Sequence, residues 1–172
     1  MNKKWECPEI DEKKVNNLIY KYNMDKILAK ILANRGISDD REMELFLKPT
    51  RGDFHDPFLM PDMEIAVNRI LKAIHQDEKI IIYGDYDADG ITSVTVLKKF
   101  LEERGIVVGT YIPNRISEGY GLNIGAVKNI YEQGYNLIIT VDCGITGTEE
   151  IDYANSLGME VIVTDHHEPA DK

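Results

Sequence analysis

The chain has 172 residues, of which 43% are apolar and 29% charged, with a formal net charge of −10. That length suits one ordinary domain with a small appendage, and the apolar share supplies a real core, which argues against a disordered chain. No apolar run approaches the roughly 20 residues of a bilayer crossing. The basic start, Met1-Asn2-Lys3-Lys4, leads into no apolar segment, so the chain reads as cytoplasmic, with neither a secretory leader nor a membrane partner. Cys7 and Cys143 lie far apart, in no metal-type spacing and with little prospect of a disulfide. The acid excess weighs against a basic nucleic-acid surface. It would weigh less if part of it formed a metal site whose cations cancel the charge.

Helical signals come first along the chain. Asp11 to Tyr22 carries Val15, Leu18, Ile19 and Tyr22 at helical spacing. Ile27 to Asn34 follows, with Ile27, Leu28, Ile31 and Leu32 on one side and Gly36 as the stop. Ser38 is the expected cap of a short helix through Leu47, which Pro49 ends. Thr50 to Pro61 is rich in Pro, Gly and Asp and reads as an irregular connection. Beyond it, strands and helices alternate. Asp62 is a candidate cap for a helix to about Gln76, with Ile65, Ala66, Ile70, Ala73 and Ile74 inward. Strand 79–83, helix 91–104, strand 106–112 and helix 124–133 come next. Strand 137–141, a helix capped by Thr148, and strand 160–164 complete the series. Gly105, Gly134 and Gly158 stop the helices. Such alternation implies an α/β domain over 61–172, a parallel sheet with helices on both faces. A small helical region and its connection, 1–60, precede it.

Three of the strands run directly into acids or imidazoles. The first leads to Gly84-Asp85-Tyr86-Asp87-Ala88-Asp89-Gly90, the third to Asp142-Cys143-Gly144, and the fourth to Asp165-His166-His167. Parallel strands deliver these groups to one carboxyl edge, where open α/β sheets bind ligands. So many carboxylates at close range disfavour one another's ionisation, and a divalent cation removes that cost. Oxygen and imidazole donors without thiolate suit Mn²⁺, Mg²⁺ or Zn²⁺. Two ions about 3.5–4 Å apart would activate water and stabilise an in-line displacement at phosphorus. Asp142, between the other clusters in sequence, is the natural bridge.

Blander readings stand beside these. The Asp-x-Asp-x-Asp-Gly run resembles a calcium loop, but Val96 occupies the twelfth position, where such a loop needs Glu. The triplet also fits a plain turn. The paired histidines could be surface groups, and Cys143 reads as a small packed residue. In the loop 111–123, Arg115 could grip a phosphate and Tyr120 could stack on a base. Equally, Arg115 could pair with Glu118 or with a strand-end carboxylate.

Four ordered segments resemble the motifs of the DHH phosphoesterases: 83–90, Asn114-Arg115 with 118–121, 141–144 and 164–167. The likeness covers most of 45–169, and only Trp5 carries it loosely into the first 45 residues. It is nearest to the branch of 5′→3′ exonucleases specific for single-stranded DNA. Many family members carry His where Tyr83 stands here, and that branch resembles this sequence in lacking it. The resemblance implies a two-ion Mn²⁺ or Mg²⁺ site. Asp87, Asp89, Asp142 and His166 would be ligands, Asp85 a less certain one, with Asp142 bridging the ions. His167 would contact the scissile phosphate, Arg115 and Tyr120 the substrate, and Asp165 would orient its neighbours. It implies a role in DNA repair and recombination, beside replication or repair proteins. The family's last ligand Asp lies beyond the fourth motif, so the chain is expected to be a truncated piece with weak or absent activity alone. Competing expectations are a phosphodiesterase of cyclic dinucleotides or short oligonucleotides, and a catalytically silent scaffold that binds replication proteins.

Overall fold

The computed structural model describes residues 9–37 and 39–169, so Trp5, Cys7 and Ser38 lie outside the described residues. The chain divides into two compact units, Met1–Leu59 and Met60–Lys172.

The first unit is built on three helices: α1 (Glu12–Tyr22), α2 (Lys26–Asn34) and α3 (Asp40–Leu47). Each begins on an aspartate whose carboxylate accepts from an exposed backbone N–H: Asp11 from Lys13, Asp25 from Ile27 and Asp39 from Glu42. Glu42 returns the favour to the Asp39 amide, completing a capping box. The cap of α3 is therefore Asp39. Gly36 follows α2 at φ 82, the left-handed turn in which a helix commonly ends. Val15, Leu18, Ala29, Leu32 and Met43 form a small core. The expected inward face of α2 is wrong in part: Ile27, Leu28 and Ile31 are 71%, 45% and 50% exposed. Only a narrow stripe, Ala29 and Leu32, is needed to cover α1, and the remaining apolar residues lie outside it. The connection contains two single turns of 3₁₀ helix, Arg51–Asp53 and Pro57–Leu59.

The second unit contains α4 (Met63–His75), β1 (Ile80–Gly84), α5 (Ala88–Glu102) and β2 (Val108–Tyr111). It continues with α6 (Ile124–Glu132), β3 (Leu137–Val141), α7 (Thr148–Ser156) and β4 (Glu160–Thr164). The four strands pair in parallel in the order β2-β1-β3-β4. Side-chain alternation along β1 divides the core. Ile80 and Ile82 pack with Ala73 of α4 and with Val94 and Leu101 of α5. Ile81 and Tyr83 pack on the other face with Ala126, Val127 and Ile130 of α6 and Ala154 of α7. The central strands β1 and β3 are buried throughout, which is why they read as unbroken apolar runs.

Several local expectations are corrected. α5 begins at Ala88 rather than Ile91, because Asp87 caps it, and this draws Asp89 into the first turn. The N-cap of α7 is Gly147, so Thr148 is the first helical residue, while Glu149 and Glu150 do sit in the positive first turn. Asp62 precedes α4 in a left-handed conformation, φ 58, and makes no side-chain cap. Ile65 is 68% exposed; α4 turns Ala73, with Ile70 and Ile74 partly buried, toward the sheet instead.

Candidate metal centre

The strand order places a topological switch point between β1 and β3. The chain leaves β1 for β2 on one side and then crosses to β3 and β4 on the other. Crevices open at the carboxyl ends of strands at such points. The loops after β1, β3 and β4 deliver their acids and imidazoles here.

Asp142 stands at the end of β3 with φ 59, a left-handed conformation uncommon outside glycine, asparagine and aspartate. Its amide still donates to the Thr164 carbonyl at 2.9 Å, one step past the β3–β4 ladder. Its side chain, 8% exposed, lies 3.0 Å from Nε2 of His166. Asp142, His166 and His167 each offer a ligand atom, and these atoms all lie within 4.8 Å of one another. Asp85, Asp87 and Asp89 stand outside that tight group. Oδ1 of Asp87 accepts from the amides of Asp89 and Gly90, both at 3.0 Å, so one oxygen caps α5.

Asp165 orders the pair of histidines. Its Oδ1 accepts from the amides of His166 at 2.8 Å and His167 at 3.1 Å and lies 2.7 Å from His167 Nδ1. Its Oδ2 accepts from the Ile145 amide at 3.0 Å, tying the β4 loop to the β3 loop. Burial pushes this carboxyl upward, but the four hydrogen bonds outweigh it and hold the group below its ordinary range. The bond to Asp165 in turn raises His167 above a free imidazole, against some desolvation and with help from the charges of Asp165, Asp142 and Asp87.

Asp85 is the buried acid of the centre, 1% exposed, and its Oδ1 has no hydrogen-bond partner among the described residues. Burial raises its carboxyl; the Tyr86 amide opposes the shift, and the charges of Asp87 and Asp142 add to it. An orphaned buried carboxylate oxygen among other acids, with imidazoles and no thiolate donor, is a donor set that fits a hard divalent cation. Cys143 next to it is fully buried, and burial lifts its thiol to about 12, so it stays a neutral packed side chain.

The loop after β2 reaches the same rim. The Tyr120 hydroxyl lies 3.4 Å from both the Asp142 carbonyl and His167 Nδ1. Burial, then the charges of Asp165 and Asp85, push that phenol to about 12, so it stays protonated. Arg115 does not pair with Glu118. The Glu118 carboxylate accepts from the Tyr111 hydroxyl at 2.5 Å and the Asn114 amide at 2.7 Å. The guanidinium of Arg115 instead sits 5.4 Å from the centre of the Tyr86 ring. The buried Tyr83 stacks on Tyr111 at 5.1 Å and donates to the Gly121 carbonyl at 2.8 Å, which pins the far end of the loop.

With this geometry in hand, the pattern of the DHH family, N-terminal domain, matches residues 79–172. The chain belongs to the DHH family. Among its relatives, the single-stranded-DNA-specific exonuclease RecJ of Bacillus subtilis is 46% identical over 166 residues, covering 96% of this chain and 21% of the relative. RecJ of Escherichia coli is 36% identical over 147 residues, 84% of this chain and 25% of the relative. The chain thus spans about a fifth to a quarter of the length of the curated relatives it matches. Among solved structures, RecJ of Thermus thermophilus in complex with Mn²⁺ superposes with a TM-score of 0.66 at 27% identity, over 94% of this chain and 22% of that one. An exonuclease RecJ bound to manganese gives 0.60 at 39% identity, over 66% of this chain and 30% of that one.

Within this DHH chain the structure adds residues that the motif reading did not assign. Tyr86 touches both Arg115 and Tyr120. Asn123 and Tyr111, outside the four motif segments, hold the loop together with Glu118 of the second segment.

Proposed function

We propose that this chain is the N-terminal, metal-holding part of a longer enzyme that hydrolyses single-stranded DNA from the 5′ end. The observation that carries the reading is the meeting of Asp142, His166 and His167 at the switch point, with their ligand atoms within 4.8 Å of one another, beside the orphaned buried oxygen of Asp85. The shared family and the RecJ relatives support a single-stranded-DNA substrate. Residues up to about 60 serve as the helical region and 61–172 as the DHH domain. Asp87, Asp89, Asp142 and His166 would hold two Mn²⁺ or Mg²⁺ ions, with Asp85 a further ligand.

When bound, the cations supply polarisation of phosphoryl oxygens and easier ionisation of water. The chain's own groups do the rest. Asp165 fixes the ring of His167 through Nδ1 and raises its proton affinity, which favours its donating a hydrogen bond to a phosphate oxygen. The loop after β2 brings Arg115 and Tyr120 to the substrate. Such an enzyme would work in DNA repair and recombination in the cytoplasm, beside replication or repair proteins. Among the described residues no helix is long and apolar enough to cross a membrane.

The test uses the full-length protein with Mn²⁺ on end-labelled single strands, duplex and a cyclic dinucleotide. Release of nucleotides from the 5′ end of single strands is expected, and Asp142→Ala should abolish it. Hydrolysis of the cyclic dinucleotide with single strands untouched would overturn the reading, as would full activity of Asp142→Ala.

A further inference from the structure

Resting on the phosphoesterase reading above, we infer that Tyr86 is a positioning residue whose ring seats the Arg115 guanidinium at the rim of the acidic centre, with its N–H donors left open for a phosphate. Tyr86 lies between Asp85 and Asp87 on the loop after β1, and Arg115 lies on the loop after β2. The two meet with the guanidinium carbon 5.4 Å from the ring centre, inside the range of a cation–π contact.

The backbone around Arg115 is held on both sides. The Asn114 amide donates to Glu118, and the Glu118 amide donates back to the Asn114 carbonyl at 2.9 Å. Oδ1 of Asn114 accepts from the amides of Ile116 and Ser117 at 2.9 and 3.2 Å. Arg115 is therefore presented from a closed turn, and only its long side chain needs guidance.

A carboxylate would give that guidance at the expense of the donors. The two parallel hydrogen bonds of a bidentate pair with an acid would occupy the fork that must bind phosphate. The acid of the same loop, Glu118, is already committed to Tyr111 and Asn114, and none of the described carboxylates pairs with Arg115. An aromatic face attracts the cation without using its N–H groups. The ring is itself held edge-on to Tyr120, centroids 6.5 Å apart, and Tyr120 is edge-on to His167 at 6.0 Å. The loops after β1, β2 and β4 are thereby joined in one contact chain, Arg115–Tyr86–Tyr120–His167.

The test places phenylalanine and progressively fluorinated phenylalanines at position 86 of the full-length protein and measures kcat/KM on a single-stranded oligonucleotide with Mn²⁺. Tyr86→Ala should lower kcat/KM about two- to fivefold, the size of a solvent-exposed cation–π contact. Tyr86→Phe should restore it, and each added fluorine should lower it again in graded steps, because fluorine drains the ring face of charge while barely changing its shape. In an Arg115→Ala background the whole series should be flat. A flat series with Arg115 present would overturn the inference, as would an equal slope without Arg115, which would mean that the ring meets the substrate itself. Wild-type activity of Arg115→Ala would overturn both the seat and the role of Arg115 while leaving the nuclease standing. A wild-type protein that cuts no single strand would overturn the function as well.

Discussion

The sharpest perturbation is Asp142→Asn, because it removes one charge and changes little else. Asparagine tolerates the left-handed backbone that φ 59 imposes, so the turn after β3 should survive. Its amide oxygen can still face His166 at the 3.0 Å now spanned by the Asp142–His166 pair. What disappears is a negative charge that helps raise Asp85. Without cations, the variant should melt no lower than the wild type, since each like charge removed from such a cluster relieves on the order of 1 kcal/mol. With Mn²⁺ at about 100 times its dissociation constant, the wild type should gain roughly 2.7 kcal/mol, a rise of about 10 °C for a domain of this size. Asp142→Asn should lose most of that rise. Asp142→Ala should also melt roughly 4 °C below Asp142→Asn, because alanine bears the left-handed strain of about 1 kcal/mol. Calorimetry with and without Mn²⁺ reads all three quantities. An Mn²⁺-dependent rise in Asp142→Asn equal to that of the wild type would refute the bridging role and the charge argument together.

Three further outcomes follow from particular contacts. In the metal-free protein, the NMR titration of His167 should have its midpoint above a free imidazole, and Asp165→Asn should return it toward about 6.5; no change on that substitution would break the link. The stability that His167 contributes is complete below its unfolded value and fades as pH rises through the raised folded value. The contribution of Asp165 is present above its unfolded value of about 3.9 and fades as pH falls through the lowered folded value. Gly90→Ala should destabilise by about 1–3 kcal/mol in urea, because a Cβ there would meet the backbone nitrogen of Asp85 at 2.6 Å and neither main chain can yield cheaply; an unchanged midpoint would show that the β1 loop is looser than its packing implies. Arg69 bridges Glu78 at 2.6 Å and Glu160 at 2.5 Å with only 12% of its side chain exposed. Arg69→Ala should cost roughly 1–3 kcal/mol by leaving Glu78 unpaired, and adding Glu78→Met should recover part of it; equal losses in the single and double variants would place the effect in packing instead.

The sheet was legible because its central strands, β1 and β3, bury both faces. Runs such as Leu137–Val141 are apolar without interruption, and glycines at 105, 134 and 158 mark where the helices stop. The acids at the strand ends were legible for the same reason: a polar group directly after a buried strand has few places to go except the carboxyl edge. Errors clustered where several residues could serve one job. Asp87 caps α5, a task local sequence does not separate from ligation, so the helix starts three residues early. On α2 the apolar residues outnumber the positions the small first core can take, and periodicity alone does not say which are left outside. The partner of Arg115 was hidden because Glu118, the expected acid, is taken by the Tyr111 hydroxyl and the Asn114 amide, and Tyr111 lies outside the four motif segments.

The strand order also explains why the centre needs so many separated pieces. With β1 and β3 adjacent and β2 and β4 outside them, the loops leaving β1 and β3 diverge to opposite faces and open a gap between them. No single loop spans that gap. Asp85 and Asp87 line one side, Asp142 stands on the other, and Asp165 reaches back from β4 to hold the Ile145 amide. Each contributor is fixed by its own strand or cap, and little rotamer freedom remains to be lost when a ligand arrives. The cost is a set of like charges held close together with one carboxylate oxygen unsatisfied, and the buried strands of the sheet, packed on both faces, are what make that strain affordable.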